Sequence, residues 1–161
     1  MRTICSWTRQ QEKRPKLKIL EKLVIRAAQA AGLPEKTDLS LVFLPDDRMA
    51  ELNEAALNHH GPTDVICFDL RTPGLDFPKE DDEEFDADIE IYVCPDVARR
   101  EAEKRGLPYA GEVILYVVHG LLHAAGEDDL VPTKKRRMRR REKQVLSVLE
   151  KEFHFESIFG N

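Results

Sequence analysis

Val113-Ile114-Leu115-Tyr116-Val117-Val118-His119-Gly120-Leu121-Leu122-His123-Ala124-Ala125-Gly126 is the stretch whose reading decides the fold. It predicts a helix from Ala110 to Ala125 that is apolar nearly all round, and a helix without a polar stripe is buried on every side. Other elements must therefore surround it. Downstream, Met138, Val145, Leu149 and Phe153 recur at helical spacing and predict a long helix from Thr133 to Phe153. Upstream, a helix is expected near Asp96 to Arg105. Strands are expected at Ala87 to Val93 and Thr63 to Leu70, where apolar residues alternate. Leu39 to Leu44 and Arg2 to Ser6 read as two further strands. Leu17, Leu20, Leu23, Val24, Ala27 and Ala28 mark a helix ending at Gly32 and Pro34, and Asp46 or Asp47 is placed to cap a short helix through Ala56. The expected fold class is α+β: a small mixed β-sheet of about four strands packed with helices around the buried central helix, as one domain over residues 1–161.

Between the last two strands, Arg71 to Asp86 forms a long segment rich in Pro, Gly and acidic residues, which we expect to be mobile. With 42% apolar and 34% charged residues, the chain has a globular balance, neither disordered nor membrane-embedded. The longest apolar stretch carries His119 and is too short to span a bilayer, and Met1-Arg2-Thr3-Ile4-Cys5 lacks the apolar core of an export signal. Cys5, Cys67 and Cys94 lie far apart with no CxxC pair, so free thiols in a reducing cytosol are expected.

His119 and His123 stand one turn apart on the central helix, so both imidazoles can reach one ion. Gly126 can take the left-handed conformation that ends a helix, and Glu127, Asp128 and Asp129 follow it. The spacing His-x3-His-x2-Gly-x2-Asp lets Asp129 return as a third ligand, leaving an open position of the catalytic kind. Two imidazoles in an apolar helix without a partner are costly, which favours a metal over two core histidines. Position 120 is Gly, where the HExxH proteases place their general base. A metal hydrolase other than a protease is expected.

At this point the sequence resembles the YbeY family, bacterial zinc-dependent endoribonucleases and rRNA maturation factors. Leu52-Asn53 with Pro62-Thr63-Asp64-Val65-Ile66-Cys67-Phe68 is similar to the family's LN…PTDVLSF segment, and Asp88-Ile89-Glu90-Ile91 to its GDI-V-I strand. His119-Gly120-Leu121-Leu122-His123 with Gly126-Glu127-Asp128-Asp129 resembles HGxLHLxGYDH, and Met138 and Glu142 fall where the family carries Met and Glu. The resemblance covers roughly residues 39 to 150. It departs at Asp129, where the family's third ligand is usually histidine, and at Leu57, where many members carry an arginine linked to nuclease activity. Aspartate is a competent zinc ligand that adds negative charge and shifts preference toward harder metals. His59 and His60 either substitute for the arginine or are solvated loop residues.

The run Lys134, Lys135, Arg136, Arg137, Arg139, Arg140, Arg141 opens the last helix, where cations oppose the macrodipole. It reads either as a solvated face or as an RNA-binding surface contacting phosphates, and the nearby metal site favours the second. Asp128 has two readings as well: a proton acceptor or orienting residue in catalysis, or a helix-end turn residue. The resemblance implies one Zn2+ per chain and single-strand-specific cleavage of RNA. It also implies 3′-end processing of small-subunit rRNA and ribosome quality control in the cytoplasm, with rRNA and the small ribosomal subunit as partners and no membrane. Two other functions compete: a non-catalytic RNA-binding ribosome assembly factor with a structural or absent metal, and a metalloprotease.

Overall fold

A computed structural model describes residues 1–71 and 85–160. In chain order the elements are β1 (Thr3–Trp7), α1 (Leu17–Ala31), β2 (Leu39–Phe43), α2 (Asp46–Leu57), β3 (Val65–Asp69), β4 (Ile89–Val93), α3 (Pro95–Arg105), α4 (Tyr109–Ala124), α5 (Pro132–Glu152) and α6 (Phe155–Ile158). The strands form one mixed sheet in the order β1-β2-β4-β3. β1 and β4 run parallel to β2, and β3 runs antiparallel to β4.

Alternation sets the two faces of this sheet. Leu39, Leu41 and Phe43 of β2 and Ile89, Ile91 and Val93 of β4 are buried in the main core with α1, α4 and α5. The opposite face presents Val42, Tyr92, Ile66 and Phe68, covered by Met49 and Leu52 of α2. Val65 and Cys67 join the main core and Ile66 the second one, as their alternation predicts.

α4 is the hub. It packs on β3, β4, α1, α3, α5 and α6, and Val113, Ile114, Val117, Val118, Leu121 and Leu122 are fully buried. Gly120 is the point of closest approach to the sheet. A Cβ built there would lie 3.1 Å from Ile91 Cγ2 and 3.3 Å from Val65 Cγ2. The glycine lets α4 sit close against the sheet, and any side chain at this position would push on Ile91 and Val65.

Three local expectations differ from the structure. β1 begins and ends one residue later than expected. Asp46 is not a cap: Pro45 holds that place, Asp46 and Asp47 sit in the first turn, and Asp46 is occupied by Arg100 at 2.6 and 2.8 Å. The short α6 was not anticipated; it follows a break at Phe153 and His154 and buries Ile158 and Phe159. The segment expected to be mobile, Arg71 to Asp86, lies outside the described residues apart from its ends. No described helix is long and apolar enough to cross a membrane.

Candidate metal centre

The central helix delivers two of the three predicted ligands, and the chain reversal after it delivers the third. His119 and His123 lie on one face of α4, with their Nε2 atoms 3.0 Å apart. Gly126, at φ +102°, turns the chain back with its N–H on His123 O, while Glu127 N–H reaches Leu122 O. Asp129 then returns to the histidines: Oδ2 is 3.7 Å from His119 Nε2 and Oδ1 is 3.8 Å from His123 Nε2. The three side chains are 24%, 33% and 39% exposed, so the centre lies at the surface and open to a substrate.

The donor set fits a cation. Two nitrogens bound to one tetrahedral zinc at the usual Zn–N length would stand about 3.3 Å apart, close to the observed spacing. The third oxygen would have to close by only a few tenths of an ångström. A carboxylate can only accept a hydrogen bond. His119 Nδ1 is 2.9 Å from Glu142 Oε1 and therefore carries a proton and donates. That leaves His119 Nε2 free to accept a cation, the tautomer a metal would require. Glu142 also raises the His119 pKa above its ordinary value of 6.5, against the opposing effect of burial.

The ligand loop is held from α5. Arg137 Nε donates to both carboxylate oxygens of Glu127 at 3.0 Å. Asp128 accepts Leu130 N–H at 3.2 Å and Lys134 Nζ at 3.1 Å, and these contacts lower its pKa. Asp128 is thus engaged in a turn and an ion pair, and it is absent from the ligand cluster of the described residues. From the opposite side, Arg71 Nη2 donates to Ala124 O at 2.6 Å while its guanidinium pairs with Asp69, fastening the end of α4 to β3. Of the predicted basic run, Lys134, Arg137 and Arg141 have intramolecular partners. Lys135, Arg136, Arg139 and Arg140 are exposed and have none among the described residues.

A cleft of about 420 Å³ adjoins His119 and Glu142, lined also by Asp64, Glu101, Arg105, Glu112 and Tyr116. Asp64 is delivered by a braced loop. Asn58 leaves α2 at φ +54°, Asn53 Nδ2 donates to Gly61 O at 2.9 Å, and Asp64 Oδ1 accepts Val65 N–H at 2.7 Å. Glu112, 2% exposed, pairs with Arg105. Sequence reasoning assigned no role to Glu142, Asp64, Arg71 or the Arg105–Glu112 pair. A lone glutamate in an otherwise apolar helix was the available signal for the pair. His59 and His60 lie in the loop after α2, outside the ligand cluster, and Leu57 is 45% exposed.

A second cluster, Asp46, Cys94 and Asp96, suits a metal poorly. Both Asp46 oxygens are taken by Arg100, and burial pushes the Cys94 thiol up to about 12.

Comparison with known proteins identifies the family. The family model described as Endoribonuclease YbeY matches residues 5–150. A protein of that name from Exiguobacterium sp. is 30% identical, with 90% of this chain and 89% of the relative aligned. Another from Macrococcus caseolyticus is 30% identical over 80% of this chain and 82% of its own length. The solution structure of TM1509 from Thermotoga maritima shares the fold, with a TM-score of 0.53 at 21% identity over 92% of each chain. With that model matching most of its length and relatives at 30% identity aligned over 80–90% of it, the chain belongs to the YbeY endoribonuclease family.

Proposed function

We propose that the protein is a metal-dependent endoribonuclease acting on single-stranded RNA, with one Zn2+ held by His119, His123 and Asp129. The convergence of these three side chains beside an open cleft carries the reading. When bound, the cation supplies Lewis acidity toward a phosphoryl oxygen or a water molecule.

The chain's own residues do the rest. Glu142 fixes the ring of His119 and keeps its proton on Nδ1. Arg137 and Lys134 hold Glu127 and Asp128, and so fix the loop from which Asp129 reaches in. Asp128 serves in this reading as an orienting residue. Leu130 N–H and Lys134 Nζ both bind its carboxylate and hold it in the turn. Asp64, exposed at the cleft wall, faces the space where a substrate hydroxyl or water would lie. Cations of the basic run that have no intramolecular partner among the described residues contact the RNA backbone. We further propose that the substrate is rRNA, processed at the 3′ end of the small-subunit species in the cytoplasm, and that the ribosome is a partner, as family membership suggests.

Two alternatives receive less support. Position 120 is Gly, so the base of a zinc protease is absent, and a purely structural site would not require the open cleft beside His119. The deciding assay is cleavage of a labelled single-stranded RNA by the purified chain, with and without a chelator, beside His123→Ala. The reading predicts cleavage abolished by chelation and by the substitution, with RNA binding retained. RNA binding without cleavage in the metal-loaded wild type favours the assembly-factor reading.

A further inference from the structure

The basic run lies on a helix with no acidic residue in its first turn and no side-chain cap, so it costs helix stability. Its cations fall on separate faces. Lys134, Arg137 and Arg141 follow one another at i+3 and i+4, and all three are engaged by the chain itself, Arg141 part-buried and the other two at the surface. They pair with Asp128 and Glu127, and Arg141 also donates to Ala30 O and Ala31 O at the end of α1. Lys135 and Arg139 stand seven and three positions before Glu142, hence on the stripe of α5 that bears the residue touching His119. Lys143, four residues beyond Arg139, extends this row of cations past Glu142 on its outer side. All three are exposed, and none has an ion pair or hydrogen bond among the described residues.

We propose that the run is divided between two tasks. Lys134, Arg137 and Arg141 brace the ligand loop and are spent on it. Lys135, Arg139 and Lys143, the last outside the contiguous run, form a track that guides the phosphates of single-stranded RNA to the centre at His119. Successive members are spaced about 6 Å along the helix axis, and their long side chains can follow consecutive backbone phosphates without reading bases. This inference rests on the proposed RNA substrate and specifies which surface carries it.

The test measures the binding of a fluorescent single-stranded 2′-O-methyl RNA to the full chain by polarisation at several salt concentrations. The variants are Lys135→Gln/Arg139→Gln/Lys143→Gln and the charge-matched Lys134→Gln/Arg137→Gln/Arg141→Gln. Each phosphate contact on a single strand contributes about 0.7 to the slope of log affinity against log salt. The track variant should therefore lose roughly 2 units of slope while the brace variant keeps the wild-type slope. Should loss of Arg141 prevent folding, the doubles Lys135→Gln/Arg139→Gln and Lys134→Gln/Arg137→Gln make the same comparison. Equal losses in both variants, or an unchanged slope in the track variant, overturn the division while leaving RNA binding in place. A wild-type chain that does not bind the RNA rejects the proposed function and the track with it.

Discussion

Replacing Glu142 should weaken metal binding in two separable steps. The carboxylate is 15% exposed and accepts the Nδ1 proton of His119 at 2.9 Å. It contributes a hydrogen bond that fixes the tautomer and a negative charge that makes Nε2 a stronger donor. Glu142→Gln keeps an accepting oxygen but removes the charge. Hydrogen bonds to charged groups are worth about 1.5–3 kcal/mol against about 0.5–1.5 kcal/mol for neutral ones. The difference, on the order of 1 to 1.5 kcal/mol, corresponds to roughly tenfold weaker zinc binding. Glu142→Leu removes both contributions and frees the ring to rotate or change tautomer. The loss should then approach 100-fold, the upper end for residues that orient a ligating histidine. Competition with a chromophoric chelator measures both affinities, and proton NMR of the metal-free variants follows His119, whose raised pKa should fall toward its ordinary value in both. Zinc affinity unchanged in Glu142→Leu refutes the assignment. A Gln variant as weak as the Leu variant shows that the charge, and not the geometry, is what matters.

Further consequences follow from the same geometry. The Glu142 contact raises the His119 pKa, so in metal-free protein this pairing stabilises fully below the unfolded value near 6.5 and is lost as pH rises through the higher folded value. Thermal melts across that window should show a decline that Glu142→Gln abolishes. Because zinc competes with the same proton, its apparent affinity should rise with pH over this window and level off above it. Gly120→Val places methyl groups against Ile91 and Val65 and should cost about 2–3 kcal/mol in urea unfolding; wild-type stability would contradict the close approach of α4 to the sheet. Arg105→Ala leaves Glu112 buried without its partner. The guanidinium side is 49% exposed, so the cost should be on the order of 2 kcal/mol, below that of a fully buried pair. The double variant Arg105→Ala/Glu112→Gln should recover part of it.

The sequence made the centre legible where chemistry depends on local period. His119 and His123 share one face because α4 repeats every 3.6 residues, and Asp129 joins them because Gly126 turns the chain within three residues of the helix end. The layers of the sheet were readable for a similar reason, since alternation in β3 and β4 separates Val65 and Cys67 from Ile66 and Phe68. What was not legible depends on distance along the chain. Glu142 meets His119 across 23 residues, and Arg71 meets Ala124 across 53. No periodicity encodes such pairings; they follow from how α5 and β3 dock on α4. The basic run was visible as a run. Its division was not, because it depends on where Glu127 and Asp128 lie after the turn. Asp46 looked like a cap from its place before a helix, yet Arg100, 54 residues away, claims its carboxylate.

The central claim is that His119, His123 and Asp129 hold one metal ion. The most direct measurement is the metal content of this purified 161-residue chain by elemental mass spectrometry, beside His123→Ala and Asp129→Ala. The account predicts about one zinc per folded wild-type chain, none retained by His123→Ala and a markedly reduced content in Asp129→Ala. Full zinc occupancy in both variants, or a wild-type chain that takes up no zinc when it is supplied, would contradict it.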